Sequence, residues 1–147
     1  MLKTQTPAPF FQATDQHGAE HTLNMYAGKY VVLYFYPRDD TPGCTIEACT
    51  LRDNYSELNK RAAIIGVSDD DEASHKAFAE KYHLPFTLLA DTDKSIITAY
   101  EAKGIFTKRI TYIIDPNGII AKTYPNVNPS QHADEIIRDL DSLRNTH

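Results

Sequence analysis

Tyr30 to Tyr36 (YVVLYFY) is an unbroken β-branched and aromatic run that stops at Pro37, the pattern of a strand buried on both faces and therefore central to a sheet. Ala62 to Val67 (AAIIGV) and Phe86 to Ala90 (FTLLA) repeat that pattern at shorter length. Between these runs the spacing changes to that of helices. Thr45 to Lys60 places Ile46, Cys49, Leu51, Tyr55 and Leu58 in a rough apolar stripe among charged residues, which predicts a helix about four turns long. Ser68 and Asp69 to Asp71 stand where an N-cap and an acidic first turn belong, ahead of a helix through about Tyr82 that carries Ala73, Phe78 and Ala79. Asp91-Thr92-Asp93 caps a short helix ending near Tyr100. Arg109 to Asp115 and Ile119 to Tyr124 flank Pro116-Asn117-Gly118, a hairpin turn signal. Pro129 opens a last amphipathic helix with Ala133, Ile136, Ile137, Leu140 and Leu143. Before all of this, Phe11 to Leu23 reads as a small peripheral hairpin turning at Asp15-Gln16-His17-Gly18.

The order strand, helix, strand, helix, strand, helix, followed by a hairpin and a helix, predicts an α/β fold with a central mixed β-sheet flanked by helices and an N-terminal β-hairpin. No linker or repeat interrupts the 147 residues, so residues 1–147 are expected to form a single domain. The net charge of −5 and the scattered lysines and arginines argue against nucleic acid as a partner. The nine tyrosines and six phenylalanines are spread through the elements rather than along one face, so no stacking platform for single strands is expected. The first residues lack the apolar stretch of a secretory leader, and no run approaches the roughly 18 apolar residues of a membrane helix. A cytoplasmic protein with no membrane partner is the expectation.

The chain has two cysteines, Cys44 and Cys49, too few for a disulfide framework. The six histidines show no ligand spacing to them, so neither metal nor cofactor is expected. Asp69-Asp70-Asp71-Glu72 lacks the spaced ligands and glycine of a calcium loop and reads as a solvated helix start. Thr41-Pro42-Gly43 suits N-cap, N1 and N2 of a helix, which puts Cys44 in the first turn. Free N–H groups and the positive end of the helix dipole favour an anion there, the form of sulfur that attacks. Taken alone, Cys44 reads as an inert buried cysteine, and Cys49 reads equally as a core residue of the stripe. Five residues of ideal helix separate the two by about 7.5 Å of rise and roughly 140° of rotation, beyond disulfide reach unless the helix unwinds locally. A disulfide that forms and breaks during catalysis tolerates such a gate better than a permanent one.

The run Pro37-Arg38-Asp39-Asp40-Thr41-Pro42-Gly43-Cys44 resembles the Pro-x-x-x-Thr-x-x-Cys motif of peroxiredoxins. Its continuation through Thr45-Ile46-Glu47-Ala48-Cys49-Thr50-Leu51-Arg52-Asp53 is similar to the bacterioferritin-comigratory-protein, or peroxiredoxin Q, branch. The flanking strands and the segment Arg109 to Gly118 extend the resemblance over nearly the whole chain in the same order. It implies a thioredoxin-like fold and a thiol peroxidase that reduces hydrogen peroxide and organic hydroperoxides.

The resemblance further implies that Cys44 is the peroxidatic cysteine, passing through a sulfenic acid, and Cys49 the resolving cysteine of an intramolecular pair. Thr41 would hydrogen-bond thiolate and peroxide, Arg109 would face the thiolate, Pro37 would shield it from water, and Glu47 would orient the arginine. From the residues alone Arg109 is a strand-end surface arginine with Lys108 and Arg52 as competitors, Thr41 a cap, and Glu47 an exposed helix carboxylate. The implied reductant is thioredoxin or a glutaredoxin-like protein, and the protein is expected to be a monomer. Two departures from the family pattern stand out. Glu101-Ala102-Lys103 precedes Gly104, so the loop leading to Arg109 is expected to be shaped differently, and Leu51 replaces the usual phenylalanine. A thiol–disulfide oxidoreductase is the competing enzyme class, but its usual Cys-x-x-Cys is missing. A redox sensor without turnover is the competing non-enzyme.

Overall fold

The computed structural model describes residues 1–145. Its strands are β1 (Gln12–Thr14), β2 (Glu20–Thr22), β3 (Val31–Phe35), β4 (Ala63–Ser68), β5 (Thr87–Ala90), β6 (Thr111–Ile114) and β7 (Ile120–Tyr124). Its α-helices are α1 (Pro42–Asp53), α2 (Tyr55–Leu58), α3 (Glu72–Tyr82), α4 (Ser95–Ala99) and α5 (His132–Asn145). β1 and β2 form the separate antiparallel hairpin, and the other strands form one sheet in the order β5-β4-β3-β6-β7. β3 pairs parallel with β4 and antiparallel with β6, so the sheet is mixed.

β3 is central because every one of its side chains finds an apolar layer. Alternate residues Val32 and Tyr34 face a core shared with Ala48 and Leu51 of α1, Phe78 of α3, and Ala133, Ile136 and Leu140 of α5. Val31, Leu33 and Phe35 face the opposite core with Phe11, Ile96, Ile97 and Tyr100. Period two in the strand thus serves two layers at once, which is why no polar alternation interrupts it.

Three elements differ from the sequence expectation. The first helix is interrupted at Asn54, and its buried residues are Cys44, Glu47, Ala48 and Leu51, while Ile46 is half exposed. The N-cap of α3 is Asp71, which accepts from the Ser74 N–H at 2.8 Å, while Ser68 ends β4. The hairpin is less peripheral than its composition suggests. Gln16 in its turn is buried, donating to the Phe86 carbonyl at 2.8 Å and accepting from the Leu88 N–H at 2.9 Å, so it occupies hydrogen-bonding groups on the edge strand β5.

Candidate active site

The carboxyl ends of parallel strands are where an α/β sheet leaves a crevice for chemistry. At that end β3 runs through Tyr36 and Pro37 into a loop that enters α1. Thr41 takes the extended conformation of an N-cap, Pro42 opens the helix, and Cys44 falls in the first turn as expected. The thiol is only 2% exposed, although it lies one turn from a helix end.

Antiparallel pairing explains how a residue 65 positions later reaches that thiol. Tyr34 pairs with Thr111, and the Phe35 N–H donates to the Ile110 carbonyl at 2.8 Å. The residue just before Ile110 is therefore delivered to the carboxyl end of β3. Arg109 donates through Nη2 to Cys44 Sγ at 3.3 Å and through Nη1 to Glu47 Oε1 at 2.8 Å. One planar guanidinium thus serves sulfur and carboxylate together, a geometry that a lysine ammonium does not reproduce. Gly43 leaves the room for it, since a Cβ there would lie 2.9 Å from Nη2.

Glu47 is fully buried rather than an exposed helix carboxylate, because it shares the inward face of α1 with Cys44 three residues earlier. Its Oε2 has no hydrogen-bond partner among the described residues. Burial pushes its carboxyl up from 4.5 to about 7, with Arg109 pulling the other way. Burial also works against the Arg109 charge, but Cys44 and Glu47 more than offset it, so the guanidinium pKa lies above its ordinary value.

The raised Glu47 carboxyl makes stability depend on pH. Between 4.5 and about 7 the folded protein keeps a proton that the unfolded chain has released, so stability declines as pH rises through that window and is level above it. The shift corresponds to roughly 3 kcal/mol. Glu47→Gln removes the titration but keeps an acceptor for Arg109. Urea unfolding at about pH 5 and about pH 8 is expected to show the parent losing stability relative to the variant by an amount of that order. Parallel pH dependence in the two proteins would mean that Glu47 is ionised throughout.

The other expected site residues are placed less directly. The Thr41 hydroxyl neither caps the helix nor meets the thiol; its single proton goes to the Arg38 carbonyl at 2.9 Å. Pro37 is half-buried and lines a cleft of about 360 Å³ with Arg38, Ile105, Phe106 and Thr107. Ile105 and Phe106 are 96% and 77% exposed at the tip of the loop that leads to Arg109. That loop follows Glu101, whose φ is +57°, and is closed by the Lys108 N–H donating to the Ala102 carbonyl at 2.8 Å. Arg52 is engaged by the Tyr82 carbonyl and Asp53, and of the candidate cations it is Arg109 that meets the sulfur. Cys49 is half-buried on α1, and both thiols are free.

A largely buried group that the sequence does not reveal lies beneath the loop from Tyr36 to Thr41. Tyr36, Asp39, Ser74 and His75 are joined by hydrogen bonds, with Asp70 attached to the Asp39 N–H. A signal was present: His75 lies three and four residues before Phe78 and Ala79, on the buried face of α3.

A first-turn cysteine under an arginine, at the carboxyl end of a thioredoxin-like sheet, defines a thiol peroxidase. The AhpC/TSA family model matches residues 4–123. Peroxiredoxin Q, chloroplastic, of Sedum lineare is 43% identical over 150 residues, covering 98% of this chain and 80% of its own. Peroxidoxin BcpB of Mycobacterium tuberculosis superposes with a TM-score of 0.90 at 30% identity, over 98% of this chain and 99% of that one. The bacterioferritin comigratory protein of Xanthomonas campestris, studied for alkyl peroxide reduction, superposes with a TM-score of 0.89 at 29% identity, over 95% and 98% of the two chains. The chain belongs to the AhpC/TSA family and stands within it among the peroxiredoxin Q proteins; it is a peroxidase oxidoreductase of thioredoxin-like fold.

The expected cytoplasmic placement is corrected by these relatives. Plant relatives, that of Sedum lineare among them, are named chloroplastic, so the family does not carry a cytoplasmic placement. The expectation rested on the lack of an apolar leader, and a folded domain's residues carry no record of the compartment in which it works.

Proposed function

We propose that Cys44 attacks the terminal oxygen of a hydroperoxide, that Cys49 resolves the product, and that thioredoxin or a glutaredoxin-like dithiol completes the cycle. The observation that carries the reading is the buried Cys44 Sγ in the first turn of α1, 3.3 Å from Arg109 Nη2. In the first step the thiolate takes the hydroxyl of R–O–O–H, the O–O bond breaks, and RO⁻ leaves with the electron pair to collect a proton from solvent. Arg109 and the free N–H groups of the first turn stabilise the negative charge as it moves from sulfur to the leaving oxygen. Glu47 holds the guanidinium in the plane that allows this. Pro37 limits water at the sulfur, and the Thr41 hydroxyl oxygen is left as an acceptor toward the peroxide O–H.

In the second step the Cys49 thiol condenses with the Cys44 sulfenic acid, forming the S–S bond and releasing water. The two residues lie on one unbroken helix, so α1 opens at its first turn before they meet. An external dithiol then reduces the disulfide and is itself oxidised. The working unit on this reading is one domain acting as a monomer.

The test is intact mass after one equivalent of peroxide. The parent is expected to lose two hydrogens, and Cys49→Ser to gain one oxygen. Oxygen retained in the parent, or a two-hydrogen loss in Cys49→Ser, would overturn the assignment of Cys49.

A further inference from the structure

The loop from Tyr36 to Thr41 is anchored to α3 from below by a buried network. The Asp39 carboxylate accepts from the Tyr36 hydroxyl at 2.6 Å, from Ser74 Oγ at 2.8 Å and from His75 Nδ1 at 2.6 Å. The Asp39 N–H donates to Asp70 Oδ2 at 2.8 Å, and that oxygen also accepts from Ser68 Oγ at 2.7 Å. His75 is wholly buried, and its Nε2 lies 2.9 Å from the Leu89 carbonyl of β5.

Both ring nitrogens of His75 thus face acceptors. A backbone carbonyl has no proton to give, so Nε2 carries a hydrogen, and an oxygen cluster that accepts from two hydroxyls favours a second hydrogen on Nδ1. The geometry therefore favours a hydrogen on each nitrogen, the imidazolium form of His75 paired with Asp39. Asp39, Asp70 and His75 also lie within 4.8 Å of one another, and a ring protonated at both nitrogens would offer no lone pair to a cation there.

We propose that the charged His75–Asp39 pair is a latch that positions Cys44. It holds the Tyr36–Thr41 loop, and through it the first turn of α1, in the closed arrangement that presents the sulfur to Arg109; loss of the His75 proton frees the loop and favours the opened helix in which Cys49 reaches the sulfur. The connection is short. Asp39 lies two residues before Thr41, whose carbonyl accepts from the Thr45 N–H at 2.8 Å and whose hydroxyl bonds back to Arg38. A second tie, Asp40 to Lys81 and to the Tyr82 hydroxyl, is solvent-exposed and contributes little by comparison. Breaking one member of a buried pair is the costly event, because the other charge is left without a partner.

The sign of the pH effect follows from the groups around the ring. Burial lowers the His75 pKa, but Asp39 by hydrogen bond and charge, the Leu89 carbonyl and the Asp70 charge outweigh it, so the folded value lies above 6.5. The Tyr36 hydroxyl also lies against the ring, 3.4 Å from Nδ1. A raised histidine contributes stability that is complete below 6.5 and is lost as pH rises through the folded value. The latch therefore weakens on the alkaline side. His75 is a positioning residue on this account, acting on Cys44 through the loop.

The proposal rests on the assignment of Cys44 and Cys49 made above, but its first two readouts do not involve the disulfide. In the parent, ring nitrogen-15 shifts are expected to show both His75 nitrogens protonated at neutral pH, and hydrogen-exchange protection factors over residues 38–46 to drop several-fold as His75 titrates, with β4 and α5 unchanged. In His75→Asn the protection over 38–46 is expected to be low and independent of pH. With one equivalent of peroxide, disulfide closure in the parent is expected to accelerate several-fold across the same titration and to show no such step in His75→Asn. A neutral His75 ring at neutral pH, or protection that does not follow its titration, would overturn the latch, and both are read in the parent should His75→Asn fail to fold. Absence of any disulfide by mass, with shifts and protection as expected, would instead overturn the role of Cys49.

Discussion

Peroxide-dependent NADPH consumption, with thioredoxin and its reductase present, is expected to fall to background when Cys44 is replaced by serine. The reason is chemical rather than structural. A serine hydroxyl in the same first turn is not ionised near neutral pH, and its oxygen does not form the sulfenic acid on which the second step depends. Loss of a nucleophile costs on the order of 10⁴-fold or more in turnover. The fold is expected to survive, since the two side chains are close in size and the hydroxyl lies beside a helix N-terminus that offers hydrogen bonds; the cost is about 1 kcal/mol. Coupled turnover and thermal unfolding of Cys44→Ser check the two halves of the statement together. Turnover retained at the parental level would remove Cys44 from the chemistry.

Replacing Arg109 by alanine is expected to reduce the second-order rate of Cys44 with peroxide by roughly 10²- to 10³-fold, the loss seen when a fixed donor is removed from a site of developing negative charge. Arg109 touches both partners, so the change has a second signature. Without its guanidinium the buried Glu47 carboxyl loses the group that opposes burial, and its pKa rises beyond the value of about 7. The decline of stability with pH should then continue to higher pH in Arg109→Ala than in the parent. Arg109→Lys restores charge but not the fork that meets Sγ and Oε1 at once, so only part of the rate is expected to return. Competition kinetics against a reference peroxidase measures the rates, and urea unfolding as a function of pH measures the carboxyl. A full rate in Arg109→Ala would show that first-turn N–H groups alone stabilise the transition state.

These two predictions differ in how far they are legible in the chain. Cys44 could be placed at a helix start from its neighbours, because Thr41, Pro42 and Gly43 act locally through backbone geometry and hydrogen bonding. Arg109 could not be chosen over Lys108 or Arg52 by any local rule, and only the resemblance to peroxiredoxins pointed to it. Its position is produced by the register of β6 against β3, a long-range property. Glu47 shows the same limit in reverse. Counting apolar residues along α1 favours Ile46 and Cys49 as the inward stripe, yet the helix buries Glu47 and leaves Ile46 half exposed. A carboxylate is accepted in the core only because an arginine from another element reaches it, and periodicity has no access to that partner.

The sequence by itself determined the strands, the order of helices and strands, the hairpin at Pro116-Asn117-Gly118, and the first-turn position of Cys44. Each follows from side chains within a few residues of one another, through hydrophobic period, caps and turns. Only the tertiary structure decided which cation meets the sulfur, that Glu47 lies inside, and that Asp39 and His75 form a buried pair beneath the loop. Those outcomes depend on groups tens of residues apart whose burial is favourable only jointly. The energy that decides them appears when the sheet has formed and water has been excluded.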